Sequence, residues 1–221
     1  DSSHGQNDSG WFVTQATERR RGLAHQRNRV CPTCPRHISQ MLNRVHFQNA
    51  TPDLLRSLLM IISPNLDTQL QPLNGDARPL EEWLTTFHLV SIVLDPFTNE
   101  SAWILPTAVR ILRQFGGASV RTNFVVTATA QETREFLGPH ADEFLVFSDP
   151  SRTFVKQLAL TELPAFVYIQ IDGTVPVNAQ GWNAKAWNSV AEHIANVVSW
   201  RKPSIPSAGD PGSFKGTPAL V

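Results

Sequence analysis

The chain has 221 residues, 41% hydrophobic and 9% aromatic, enough apolar material for one large domain, or for one domain with long arms. No apolar run approaches about 18 residues, which excludes a membrane-spanning helix, and two cysteines are too few for a disulfide-stapled secreted scaffold. The 19 basic and 19 acidic side chains cancel formally but are unevenly spread: over 18–44, Arg19, Arg20, Arg21, Arg27, Arg29, Arg36 and Arg44 face Glu18 alone.

Residues 1–10 are Ser, Asn, Asp and Gly with one His, and read as a polar tail. No basic-then-apolar leader follows, so the compartment stays open, with the cytoplasm ahead of export. The basic stretch could grip phosphates, each Arg adding a salt-dependent increment. The alternative is a solvated arm, or a helix lying on an acidic surface. No nucleic-acid-binding motif supports the first, and a protein partner is the expectation.

Within this arm stands Val30-Cys31-Pro32-Thr33-Cys34-Pro35-Arg36-His37. Pro35 at a first helical position, before Ile38, Met41, Leu42 and Val45, predicts a helix start there. Three readings of Cys31 and Cys34 stay open. Arginines and a helix N-terminus stabilise a thiolate, so the pair could be redox active. His25 and His37 could complete a four-ligand zinc site, although the spacing is tight. The third reading is two reduced thiols, or one local disulfide that merely closes the loop.

Thr51-Pro52-Asp53 opens a helix expected over 51–63, whose leucines and isoleucines suit a core or a dimer face, so a homo-oligomer stays open. A turn at Asn74-Gly75-Asp76 and a short helix around Leu80–Leu84 come next. His88 to Leu94 is a short apolar run rich in branched residues, the pattern of a buried strand. Asp95-Pro96 breaks it, and Glu100 to Phe115 repeats Trp103, Leu105, Ala108, Ile111, Leu112 and Phe115 at helical spacing. Thr98, Asn99 and Ser101 offer side-chain oxygens to cap that helix. Gly116-Gly117 ends it and Val120–Val126 reads as the next strand. A helix over 130–136, a strand over 144–147 and a helical stretch over 151–160 lead to Leu163-Pro164-Ala165-Phe166-Val167-Tyr168-Ile169, an apolar strand that ends in a turn at Asp172-Gly173. A last helix spans 186–198, and residues 201–221, with Pro203, Pro206, Pro211 and Pro218 among Ser and Gly, read as an extended tail.

The strand, loop and helix of 88–115 resemble the active-site segment of the thioredoxin superfamily, in which a Cys-x-x-Cys sits on the loop and a proline follows inside the helix. Aligning Pro106 with that proline puts Thr98 and Ser101 where the cysteines would stand. Leu163-Pro164 before an apolar strand resembles the superfamily's cis-proline. Gly75 to Leu80 fits the turn that TlpA-like and peroxiredoxin-like members place before the active-site strand. The resemblance covers about 65–200. It implies an α/β thioredoxin-like fold, a central mixed sheet flanked by helices, preceded by a largely helical basic extension. The division that follows is an arm over 1–50, a thioredoxin-like domain over 51–200 and a tail over 201–221.

The resemblance further implies that Pro164 and Leu163 face the loop Thr98-Asn99-Glu100-Ser101 and present backbone to an extended segment. Hydroxyls cannot replace a thiolate that attacks a disulfide, and Asp95 and Glu100 beside the loop define no triad with His88. His140 is expected in an exposed loop and His193 among polar neighbours on the last helix. Two functions compete: a redox-inactive thioredoxin fold that binds through the groove beside Pro164, and a thiol–disulfide oxidoreductase whose dithiol has moved to Cys31 and Cys34. A zinc-stabilised interaction protein is a third. No other cofactor is implied.

Overall fold

The computed structural model describes residues 62–220. The basic arm and nearly all of the helix expected over 51–63 lie outside them, as do Cys31, Cys34, His25 and His37. The redox and zinc readings therefore concern residues that are not described.

A hairpin opens the described chain. Strands β1 (Gln69–Pro72) and β2 (Arg78–Pro79) pair antiparallel around Asn74-Gly75-Asp76, where Gly75 takes φ +106°. Helix α1 (Leu80–Leu84) leads to β3 (His88–Leu94), α2 (Asn99–Phe115) and β4 (Val120–Val126). Helices α3 (Ala130–Leu137) and α4 (His140–Glu143) precede β5 (Leu145–Ser148), and α5 (Thr153–Gln157) precedes β6 (Glu162–Leu163). Strands β7 (Ala165–Ile169) and β8 (Val177–Gln180), helix α6 (Ala184–Val197) and β9 (Thr217–Pro218) complete it.

Seven strands form one mixed sheet in the order β2-β1-β5-β4-β3-β7-β8, and β6 and β9 pair apart from it. β3 lies at the centre of the packing, parallel to β4 from His88 opposite Val120 to Leu94 opposite Val126, and antiparallel to β7. A strand covered on both faces needs apolar residues at every position, and this one nearly has them. Val90, Ile92 and Leu94 join Phe124, Phe166 and Tyr168 against α2 and α6. Leu89 and Val93 join Val125, Val167 and Ile169 against α1 and α5. Apart from the half-buried His88 at its start, Ser91 is the exception, and its Oγ donates to Asn123 Oδ1 at 3.0 Å on the neighbouring strand.

Three sequence expectations are corrected. Only Thr153–Gln157 of the 151–160 stretch is helical, because Arg152 (φ 55°) and Ala159 (φ 51°) adopt left-handed conformations at either side. His140 starts α4 instead of standing in an open loop, with Nδ1 2.9 Å from Glu143 Oε2. His193 turns its ring onto Tyr168, centroids 5.6 Å apart, with Nε2 buried and without a hydrogen-bond partner among the described residues.

The residues after α6 pack back onto the domain. Pro203, Ile205 and Ala219 are buried. Arg110 on α2 forms a two-pronged bond to Asp210, both oxygens at 2.8 Å, and also donates to the Ser204 carbonyl. Thr107 adds a third bond to Asp210. Phe214 forms a backbone bridge with Trp182 and meets the Trp103 ring edge-on, centroids 5.8 Å apart. No helix among the described residues is long and apolar enough to cross a membrane.

Candidate functional site

β3 ends at Leu94, and the chain turns through Asp95–Thr98 into the long helix α2. Asp95 organises this turn. Its carboxylate accepts from the Phe97 N–H at 3.1 Å and from Arg152 Nη2 at 2.7 Å. Its own N–H donates to Ser101 Oγ at 2.9 Å, and its carbonyl accepts from both the N–H and the hydroxyl of Thr98. The side chains of Asp95 and Arg152 are only 4% and 15% exposed, so this is a buried ion pair that must stay together.

Thr98 occupies the N-cap position, yet its hydroxyl caps nothing. This corrects the expectation that Thr98 and Ser101 cap the helix. A side chain that donates back to the Asp95 carbonyl cannot point its oxygen down the helix axis, and Ser101 is turned the same way. The two hydroxyl oxygens are 3.1 Å apart. Thr98 is the donor across this pair, so its single proton is shared between the Asp95 carbonyl and Ser101 Oγ. Ser101 is fully buried, whereas Asn99 and Glu100 make no side-chain hydrogen bond among the described residues. Asp95 is the acceptor that ties the turn to Arg152.

Arg152 is positioned by Asp149, whose carboxylate accepts the N–H groups of Thr153, Phe154 and Val155 at 2.9–3.1 Å and so closes the start of α5. The second nitrogen of Arg152, Nη1, donates to the Ala219 carbonyl at 2.7 Å. One guanidinium thus joins the turn after β3 to the segment that carries β9.

The Leu163–Pro164 peptide is cis. Both residues are buried. The segment before them is held by Gln180, whose Oε1 accepts from the Thr161 N–H and hydroxyl and from the Glu162 N–H at 2.8–3.0 Å. On the other side β9 pairs antiparallel with β6, Glu162 opposite Pro218 and Leu163 opposite Thr217. The backbone edge beside Pro164 is therefore occupied by the chain itself.

Asp95, Arg152, Asp149 and Gln180 carry most of this geometry and were not legible as a group. Ser148-Asp149-Pro150 marked the end of a strand, and nothing in spacing links Arg152 to Asp95, 57 residues away. Among the described residues no group of three His, Cys, Asp or Glu side chains is placed to hold a metal ion.

No protein-family model matches the chain, and no curated protein matches it in sequence. Solved structures do match. A Neisseria meningitidis protein described as a thioredoxin is 13% identical, with a TM-score of 0.51 over 62% of this chain and 89% of that one. A Chlorobium tepidum protein described as a thiol:disulfide interchange protein DsbE is 14% identical, with a TM-score of 0.51 over 62% and 99%. A cysteine-to-serine variant of PrxQ from Xylella fastidiosa is 15% identical, with a TM-score of 0.51 over 62% and 96%. The described domain has a thioredoxin-like fold, a mixed seven-stranded sheet flanked by helices.

Proposed function

We propose that this is a binding protein on a thioredoxin-like fold, with the Thr98–Ser101 loop and the segment around Leu163-Pro164 as its contact region. The observation that carries this reading is the engagement of both hydroxyls. Thr98 and Ser101 are bonded to the Asp95 backbone and Ser101 is fully buried, so neither is free to act as a nucleophile. Two large apolar side chains beside the loop support a contact role: Phe97 is 68% exposed and Trp103 55%. Exposed aromatics are what protein interfaces enrich.

The Chlorobium tepidum neighbour is named for thiol:disulfide interchange, a chemistry that needs a thiolate. The only sulfhydryls of this chain are Cys31 and Cys34. The competing reading, an oxidoreductase with its dithiol at Cys31 and Cys34, is decided by one assay. Insulin-disulfide reduction is followed with the full chain, Cys31→Ser and Cys34→Ser. Binding without redox chemistry predicts the uncatalysed rate from all three. Turnover by the unsubstituted chain that vanishes in both variants would replace this reading by the enzymatic one.

A further inference from the structure

Strand β6 is only two residues long, stands apart from the seven-stranded sheet, and has β9 as its partner. The bonds that hold the partner segment are mostly to backbone. The Ala219 N–H donates to the Thr161 carbonyl at 2.9 Å, the Gly216 N–H to Glu162 Oε2 at 3.3 Å, and the Thr217 hydroxyl to the Leu163 carbonyl at 3.3 Å. Arg152 Nη1 takes the Ala219 carbonyl. Such bonds serve any extended segment of the right shape, which is how a strand is added to an open edge. Lys215, Pro218 and Leu220 are exposed and contribute little that is specific.

Shape restricts two positions. A Cβ on Gly216 would stand 2.7 Å from the Leu163 carbonyl oxygen and 2.8 Å from the Glu162 Cβ, both too close to accept. Ala219 is completely buried. The seat therefore reads glycine, two loosely specified residues, then a small residue. The anchor of the segment is separate from the seat. Asp210, held by Arg110 and Thr107, lies five residues before Lys215, so 215–220 can lift while 203–211 stays fixed.

We propose that residues 215–220 are a replaceable strand, and that the ligand of this site is an extended peptide segment of the pattern Gly-x-x-Ala that takes their place on β6. The proposal rests on the binding reading above and names its ligand. When the strand lifts, the Thr161 and Leu163 carbonyls and Arg152 Nη1 become available to one incoming chain.

The test is binding of a fluorescent peptide, Phe-Lys-Gly-Thr-Pro-Ala-Leu, the sequence of residues 214–220, to the full chain and to its Gly216→Val variant. The tethered strand competes at an effective concentration on the order of millimolar. The unsubstituted chain should therefore bind the free peptide at least tenfold more weakly than Gly216→Val, whose own strand cannot seat. A peptide that itself carries Gly216→Val should bind neither. Ala219→Asp, which expels the strand from its other end, should behave like Gly216→Val and guards against a local folding defect in either one. Hydrogen exchange should show the Ala219 N–H opening far more readily than the β3 amides.

Equal affinity of the unsubstituted and variant chains would overturn the proposal, and so would the absence of peptide binding in variants with unchanged circular dichroism. Exchange at Ala219 as slow as in β3 would overturn it too. These failures are distinct from failure of the binding reading, which the insulin assay decides without reference to this strand.

Discussion

The centre of the sheet and the β6–β9 edge are built on opposite terms. At the centre, β3 makes seven consecutive pairs with β4 and buries apolar side chains on both faces. At the edge, two residues pair with two, and the segment is fixed by one guanidinium, one carboxylate and a handful of backbone bonds. The centre draws its stability from area, about 25 cal/mol for each Å² of apolar surface removed from water. The edge draws on hydrogen bonds that water can replace, each worth about 1 kcal/mol net. A fold arranged this way can open at the edge while its sheet stays closed.

The largest expected effect comes from breaking the centre. Phe166 is completely buried and packs on Trp187 with ring centroids 5.2 Å apart. Phe166→Ala should cost about 4 kcal/mol of unfolding free energy, read as a lower urea midpoint. It should leave the relative affinity of the edge for peptide unchanged. A loss below about 1 kcal/mol would mean that the core around α6 is looser than its burial indicates.

Next comes the joint between the regions. Arg152→Met leaves Asp95 buried without its partner and should cost about 3 kcal/mol. Because Arg152 also holds the Ala219 carbonyl, exchange over 215–220 should quicken in the same variant. Adding Asp95→Asn removes the stranded charge while keeping an acceptor for the Phe97 N–H, and should restore most of the stability but not the protection of the strand. Recovery of both would show that Arg152 does not link the turn to the edge.

Smaller again is the loss at the turn. Ser101→Ala removes the acceptor of the Asp95 N–H in a buried position and should cost about 1–2 kcal/mol by chemical denaturation. Thr98 is partly exposed, so Thr98→Val should cost less than Ser101→Ala, its N–H keeping the Asp95 carbonyl in any case. The reverse order would mean that the Thr98 hydroxyl, and not Ser101, sets the turn.

What the sequence disclosed follows the same division. β3 lies where its apolar run puts it, His88–Leu94, because a strand buried on both faces must be a nearly continuous apolar run, and β4 spans the expected Val120–Val126 although Arg121, Thr122 and Asn123 interrupt its apolar residues. Leu163-Pro164 was legible as a special peptide before an apolar strand, and it is cis. The edge was not legible. Residues 201–221 have the Pro, Ser and Gly content of a tail, and composition carries no record of a bond from Asp210 to Arg110 a hundred positions earlier. The hydroxyls of Thr98 and Ser101 suited a helix cap by type. Only the geometry of Asp95 shows that the strand end claims them instead.

The mildest effect is a pH dependence at the far end of β3. His88 packs its ring on Tyr168, centroids 5.4 Å apart, and its Nδ1 is buried without a hydrogen-bond partner among the described residues. Burial lowers its pKa from the ordinary 6.5, and the Asp172 carboxylate only partly opposes this. Burial likewise pushes the neighbouring Tyr168 hydroxyl up to about 12, so that group stays neutral throughout. Beyond Tyr168 lies the His193 ring. The folded state therefore holds the His88 proton less tightly than the unfolded chain does. As pH falls through 6.5 the unfolded chain takes up the proton first, so stability that is complete above 6.5 declines below it. The decline stops once the folded imidazole is protonated as well. His88→Phe keeps the ring contact and removes the titration, so its unfolding free energy should fall less between pH 7 and pH 5 than that of the unsubstituted chain. Identical slopes for the two proteins would mean that the loss on this limb comes from elsewhere.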